Sequence, residues 1–167
     1  MQKKTAQEYA DELLKMYREN IRELNRENAP QIQETVFEDG TGGIQVNVTT
    51  LGRLYPVKDA LVTIFTGQIQ NKTAIETDVT NESGKSGIFN LKTPPISESQ
   101  QAGNGQEAPY ASYNISVKSD GYVEQIAMNV PVFSGVVSVQ GFDLLPIAAA
   151  GKNTSAQIID ENTKYDL

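Results

Sequence analysis

Tyr110-Ala111-Ser112-Tyr113-Asn114-Ile115-Ser116-Val117-Lys118 is the stretch on which the fold turns. Tyr113, Ile115 and Val117 alternate with Asn114, Ser116 and Lys118, so an extended chain presents one apolar and one polar face. Ser119-Asp120-Gly121 then turns the chain, and Tyr122–Val132 continues it. Working outward, the same habit recurs upstream. Ile44-Gln45-Val46-Asn47-Val48-Thr49 alternates cleanly, Ala60–Phe65 is more apolar, and Thr73–Thr80 leads through the turn Asn81-Glu82-Ser83-Gly84-Lys85 into Gly87–Leu91. Downstream, Val136–Leu144 makes a last segment. About seven short strands without helix signals between them predict a mainly β, antiparallel sandwich or small barrel.

The flanks read differently. Ala10, Leu14, Tyr17, Ile21 and Leu24 recur in steps of four and three, which predicts an amphipathic helix. Thr5-Ala6-Gln7-Glu8 has the capping-box pattern, and Ala29-Pro30 supplies the stop. Residues 1–28 hold six basic and six acidic side chains, so the net charge of −7 belongs wholly to the rest of the chain. That break, with Pro30 and Gly40-Thr41-Gly42-Gly43, divides the sequence into a helix over 1–30, a linker over 31–42, a β-sandwich over 43–147 and a polar tail over 148–167. The tail is expected to be unstructured, with Ile158-Ile159 among its few apolar handles. Residues 92–109, rich in Pro, Gly and Gln, form a long polar loop, read either as solvated hairpin or as partner-binding segment.

Composition removes whole classes of chemistry. The 167 residues include no His, Cys or Trp. Ser-His-Asp and Cys-His nucleophilic sites, zinc sites of the N/S type and disulfides therefore have no residues to use. The acidic balance argues against a nucleic-acid partner, whose phosphates require clustered Lys and Arg. Leu144–Ala150, the longest apolar stretch, contains Pro146 and is too short to cross a bilayer, and no signal peptide is evident. The expectation is a cytoplasmic protein with no membrane partner, with spore or cell-envelope association as the alternative. Gly84-Lys85-Ser86 imitates the end of a phosphate-binding loop, but a strand follows the Ser where a helix is needed. Residues 78–89 lack the spacing of a calcium loop. Glu76 with Asp78, and Asp59, Asp120, Glu124 and Asp143 near turns, are the carboxylates available for acid–base work. Surface solvation is the plainer reading of them. No catalytic residue, cofactor or metal site is expected.

The β region also carries a resemblance. Gly43, Val46 and Val48 are followed by Tyr55-Pro56-Val57-x-Asp59-Ala60-x-Val62-x-Ile64, then by Thr77-Asp78, Glu82-Ser83-Gly84, Ile88-x-x-Leu91 and Tyr113-x-Ile115-x-Val117-x-x-x-Gly121-Tyr122. This order is similar to that of the carboxypeptidase regulatory-like domain, a transthyretin-like (prealbumin-like) sandwich. Ala108–Ile115, Asn129–Gly135 and Leu145-Pro146 resemble the version in clostridial spore-cortex-lytic and related uncharacterised clostridial proteins. The resemblance covers roughly residues 43–147. It implies a seven-stranded antiparallel transthyretin-like fold and a non-catalytic accessory role.

The expected function is accordingly a structural or protein-interaction module and not an enzyme. Its helix stripe (Ala10, Leu14, Tyr17, Ile21, Leu24) would mediate intramolecular docking, self-association or capture of a protein partner. The alternative is a cell-wall or carbohydrate-binding accessory domain, for which Tyr110 is a candidate surface residue.

Overall fold

Ile44, Val46 and Val48 are fully buried, while Gln45, Asn47 and Thr49 between them are only half-buried, and this alternation lays the first strand onto a core. The computed structural model describes residues 11–20, 37–99, 108–152 and 155–161. The chain forms two units, Met1–Thr35 and Val36–Leu167. In the first, residues 11–20 are helical (α1). Ala10, Ile21 and Leu24 of the expected stripe, the Thr5–Glu8 cap and the Ala29-Pro30 stop lie outside the described residues.

The second unit is mainly β. Its strands are β1 (Thr41–Thr50), β2 (Tyr55–Pro56), β3 (Leu61–Thr66), β4 (Thr73–Val79), β5 (Lys85–Lys92), β6 (Ala111–Lys118), β7 (Gln125–Val132), β8 (Val137–Leu144) and β9 (Gln157–Asp160). Single helical turns, α2 (Ile96–Ser99) and α3 (Ile147–Ala150), sit in the connections. One sheet runs β8-β1-β5, with β2 taking over from β5 beside Thr49 and Thr50. The other runs β4-β3-β6-β7-β9. Ile44, Val46, Val48, Phe89, Leu91, Phe142 and Leu144 of the first sheet share one core with Val62, Ile64, Ile115, Val117, Val130 and Val132 of the second. Truncating a fully buried member such as Ile64 to Ala costs about 2–5 kcal/mol.

Polar side chains stitch the connections. Thr80 is buried; its Oγ1 donates to Val57 O (2.7 Å) and accepts from Ala60 N (2.9 Å), clamping the crossover from the first sheet to the second. Ser86, also buried, accepts from Val46 N at 2.9 Å and donates to Gly87 O at 2.7 Å. Gly84 has φ 73°, and a Cβ there would overlap Val48 O, so the β4–β5 turn requires glycine.

Three details differ from the sequence reading. First, the described residues hold nine strands, and two pairs are parallel: β1 with β8 and β7 with β9. Neighbouring strands alternate direction when a hairpin joins them, but β8 leaves β7 and crosses to the opposite sheet, where it lies beside β1. Second, the tail is not wholly irregular. Gln157–Asp160 adds β9 to the edge of β7, tied by Gln125 Nε2 to Gln157 Oε1 (2.8 Å) and Asn129 Nδ2 to Asp160 Oδ1 (3.0 Å). Third, order reaches into the expected linker. β1 starts at Thr41, Gly40 N donates to Ser134 Oγ at 3.0 Å, and Thr41 N donates to Glu38 O at 2.9 Å. Within the expected loop, residues 100–107 lie outside the described residues, while Ile96 N donates to Asp39 Oδ1 at 2.9 Å.

Candidate functional site

The strand directions gather one set of connections at a single end of the two-sheet unit: β1–β2, β2–β3, β4–β5, β6–β7 and the segment after β8. The β1–β2 turn, Leu51-Gly52-Arg53-Leu54, projects there. Leu51, Gly52 and Arg53 are all left-handed, at φ 54°, 72° and 67°. Left-handed backbone costs a non-glycine residue about 1–2 kcal/mol, so two such residues in succession around a glycine need outside support. Asp143, near the end of β8, provides it: Oδ2 accepts from Gly52 N and Oδ1 from Arg53 N, both at 3.1 Å. Thr50 Oγ1 donates to Leu144 O (2.8 Å), and Leu54 N donates to Thr50 O (3.2 Å), closing the turn onto the same strand.

What the turn presents is apolar. Leu51 is 56% exposed, Leu54 74% and Tyr55 59%, with Arg53 between them. Two leucines and a tyrosine are thus held in water on a strained, pinned turn. The alternation of the flanking strands does not single out this group. The available clue was that the neighbours of Gly52, Leu51, Leu54 and Tyr55, are not the polar residues a solvated turn uses.

Beside the tip, a cleft of about 840 Å³ lies among Lys58, Asp59, Lys118, Asp120, Tyr122 and Glu124. Glu124 is its organised carboxylate. Oε1 accepts from Ser116 Oγ at 2.7 Å and lies 3.5 Å from Lys72 Nζ; Oε2 lies 3.5 Å from Lys118 Nζ. Partial burial pushes this carboxyl up, but the Ser116 hydroxyl and the two ammonium groups outweigh it and hold Glu124 below the usual carboxylate range. Lys72 in turn sits 5.0 Å from the centre of the Phe65 ring. The cluster of one carboxylate and two ammonium groups ties β6 to the start of β7 and to the start of β4.

The remaining carboxylates are placed as follows. Asp78 Oδ2 accepts from Gly87 N at 2.7 Å, bridging the two sheets. Asp59, at φ 57°, lies 3.9 Å from Lys58 Nζ, which also approaches Glu82 at 3.8 Å. Glu76 and Asp120 are not joined to the Glu124 cluster by any of these bonds. Among the described residues, no group of three or more His, Cys, Asp and Glu side chains is arranged to hold a metal ion. Of the expected helix stripe, Leu14 and Tyr17 fall within α1, and both are exposed. Tyr110 lies at the opposite end of the strands, half-buried, with its ring centre 5.4 Å from that of Phe133 at a 57° tilt. Part of its ring is therefore committed to intramolecular packing. Among the described residues no helix is long and apolar enough to cross a membrane.

No family model matches the sequence, and no curated protein matches it. Among solved structures the chain is similar to the Bacillus anthracis TIE protein, at 13% identity and TM-score 0.39, covering 65% of this chain and 17% of that one. It is similar to 3-chlorocatechol 1,2-dioxygenase from Rhodococcus opacus 1CP at 12% identity and TM-score 0.40, covering 66% and 62%. It is also similar to a chain of a type II cohesin–X-dockerin complex from Acetivibrio cellulolyticus at 13% identity and TM-score 0.36, covering 68% and 64%. The chain thus spans less than two thirds of each of these. Likeness of this degree assigns neither a family nor an activity.

Proposed function

We propose that this chain is a non-catalytic protein-interaction module, a transthyretin-like sandwich of the carboxypeptidase regulatory-like kind, that binds a protein partner through the Leu51–Tyr55 tip. The observation that carries the reading is the combination of strain, support and exposure at that tip: consecutive left-handed residues held by Asp143, with Leu51, Leu54 and Tyr55 in water. A preorganised apolar turn loses little conformational entropy on binding, so its buried area converts efficiently into affinity. Several carboxylates and hydroxyls hold backbone: Asp78 on Gly87, Asp143 on the tip, Thr80 and Ser86 on the core strands. The stripe on α1, with Leu14 and Tyr17 exposed, is a second apolar surface within the same proposal.

The test is a comparison of baits. Wild type, Leu54→Ser and Leu14→Ser/Tyr17→Ser are used to retain proteins from an extract of the source cells, and any retained protein is purified and titrated against each. Leu54→Ser is expected to weaken that binding at least tenfold, roughly the loss of one buried leucine at an interface. Equal binding by Leu54→Ser and wild type would transfer the role away from the tip. Failure of wild type to bind any purified candidate would remove the reading.

A further inference from the structure

Helix α1 carries Leu13, Leu14, Met16 and Tyr17, and each of these side chains is more than half exposed. At 3.6 residues per turn, Leu13, Tyr17 and Leu14 fall in that order within about 100° of arc, which makes a single apolar face. Helices in proteins draw most of their stability from burying such a face, so this one has a surface to be covered.

The two borders of the face differ in charge. Beyond Leu14 stand Asp11 and Arg18, on nearly one line and about 10 Å apart along the helix axis. Beyond Leu13 stand Asn20 and Met16, neither of them charged. One border therefore carries an acid towards the N-terminal end and a base towards the C-terminal end, and the other border carries no charge.

We propose that α1 packs antiparallel against α1 of a second copy of this chain, about a two-fold axis passing between Lys15 and Met16. This deepens the function proposed above at its second surface and rests on the helix stripe being an interaction face. The charged border selects the occupant, because on inversion it is its own complement. The two-fold sets Asp11 of each copy beside Arg18 of the other, so both acid–base contacts form at once. Parallel pairing would instead lay the charged border of each helix along the uncharged border of the other. In the antiparallel register Leu14 packs on Tyr17 of the second copy, and Leu13 lies beside its Asn20, uncharged border against uncharged border. A foreign helix would need the same two charges in the same order, and a second copy has them by symmetry. Net charge agrees. Residues 1–28 balance six basic against six acidic side chains, so pairing here joins neutral segments of a chain that is otherwise acidic.

The test uses the full chain in sedimentation equilibrium from about 1 to about 500 µM, spanning the affinities expected of a small interface. A reversible monomer–dimer equilibrium is expected, and Leu14→Ser/Tyr17→Ser should remove it across this range. Charge reversal reads the orientation. Asp11→Arg sets two guanidinium groups side by side at each contact, and Arg18→Asp sets two carboxylates. Each variant alone should dimerise about tenfold more weakly than wild type. Mixed together, the two variants again bring unlike charges side by side, so a heterodimer of near wild-type affinity should form. The mixture contains the same two helices that fail alone, so its recovery separates contact between helices from any loss of helix in either variant. Leu54→Ser should leave the dimer unchanged, so failure of tip binding and failure of helix pairing are read apart. A monomer at every concentration, a mass that climbs without plateau, or a dimer indifferent to Leu14→Ser/Tyr17→Ser would overturn the proposal. So would charge reversals that have no effect, reversed variants that stay apart when mixed, or a dimer lost with Leu54→Ser.

Discussion

Asp143 Oδ1 accepts a hydrogen bond at 3.1 Å from the backbone N–H of Arg53, the third residue of the β1–β2 connection, held at φ 67°. The bond joins the strained turn of β1–β2 to the end of β8, whose Gln140 is in turn tied to Glu161 at 3.1 Å. One carboxylate thus holds the exposed tip in shape.

The first prediction follows from that bond. Asp143→Ala removes both acceptors and leaves Leu51, Gly52 and Arg53 with only their own turn to hold them. The loss should be about 1 kcal/mol, as for removal of a side-chain cap from free backbone donors. It should appear as roughly fivefold faster amide exchange at Gly52 and Arg53, with the core strands unaffected. Unchanged exchange there would mean that Asp143 does not support the tip.

The crossover clamp makes a second prediction. Thr80→Val keeps the shape of the side chain but removes the hydroxyl that serves Val57 O and Ala60 N, both in the segment leading to β3. Because Thr80 and Ala60 are buried, the orphaned groups are not rescued by water. Denaturant unfolding should show a loss of about 1–3 kcal/mol. A neutral result would place the clamp's stabilisation elsewhere.

The pattern of alternating residues showed which segments extend, because a buried face must repeat every second residue. Ile44 to Val48 is where that rule acts most clearly; Tyr113 to Val117 alternates in residue type and is also a strand, but its polar residues Asn114 and Ser116 are buried as well. Pairing partners were not legible in the same way. Nothing in Val137–Leu144 says that it will cross sheets and run parallel to β1, because that choice depends on where the whole core closes. Gln157–Asp160 was hidden for a different reason: only Ile158-Ile159 is apolar, and its ladder is helped by the side chains of Gln125 and Asn129, far off in sequence. The tip escaped because backbone strain leaves no trace in residue type when the strained residues are Leu and Arg.

The Glu124 cluster predicts a pH dependence. Its carboxyl titrates lower in the folded chain than in the unfolded one, so its contribution is complete above the unfolded value, near 4.5. The contribution disappears as pH falls through the folded value. Glu124→Gln should therefore be less stable than wild type by about 1 kcal/mol at pH 7, given two partly exposed ammonium partners and one hydroxyl. The gap should close as pH falls from about 5 towards 2. A gap that is constant with pH would assign the effect to shape and not to charge.

The last prediction concerns β9. Ile159 lies opposite Ala127, which is fully buried, and is itself half-buried, so its side chain covers the core side of the β7 edge. Ile159→Asp would bring a carboxylate against that apolar surface, and the strand can avoid the cost only by leaving the sheet. Detachment exposes the β7 backbone groups that β9 had paired. It also removes the Gln157 partner of Gln125 Nε2, leaving that amide its bond to Asp143 O at 2.8 Å. Thermal unfolding should shift down by the equivalent of about 1–2 kcal/mol, the scale of losing one half-buried isoleucine. Exchange should quicken in alternate amides of Gln125–Met128 and stay slow in β1 and β3. If β7 protection is unchanged while the melting point falls, the isoleucine contributes by packing alone and the strand pairing does not depend on it.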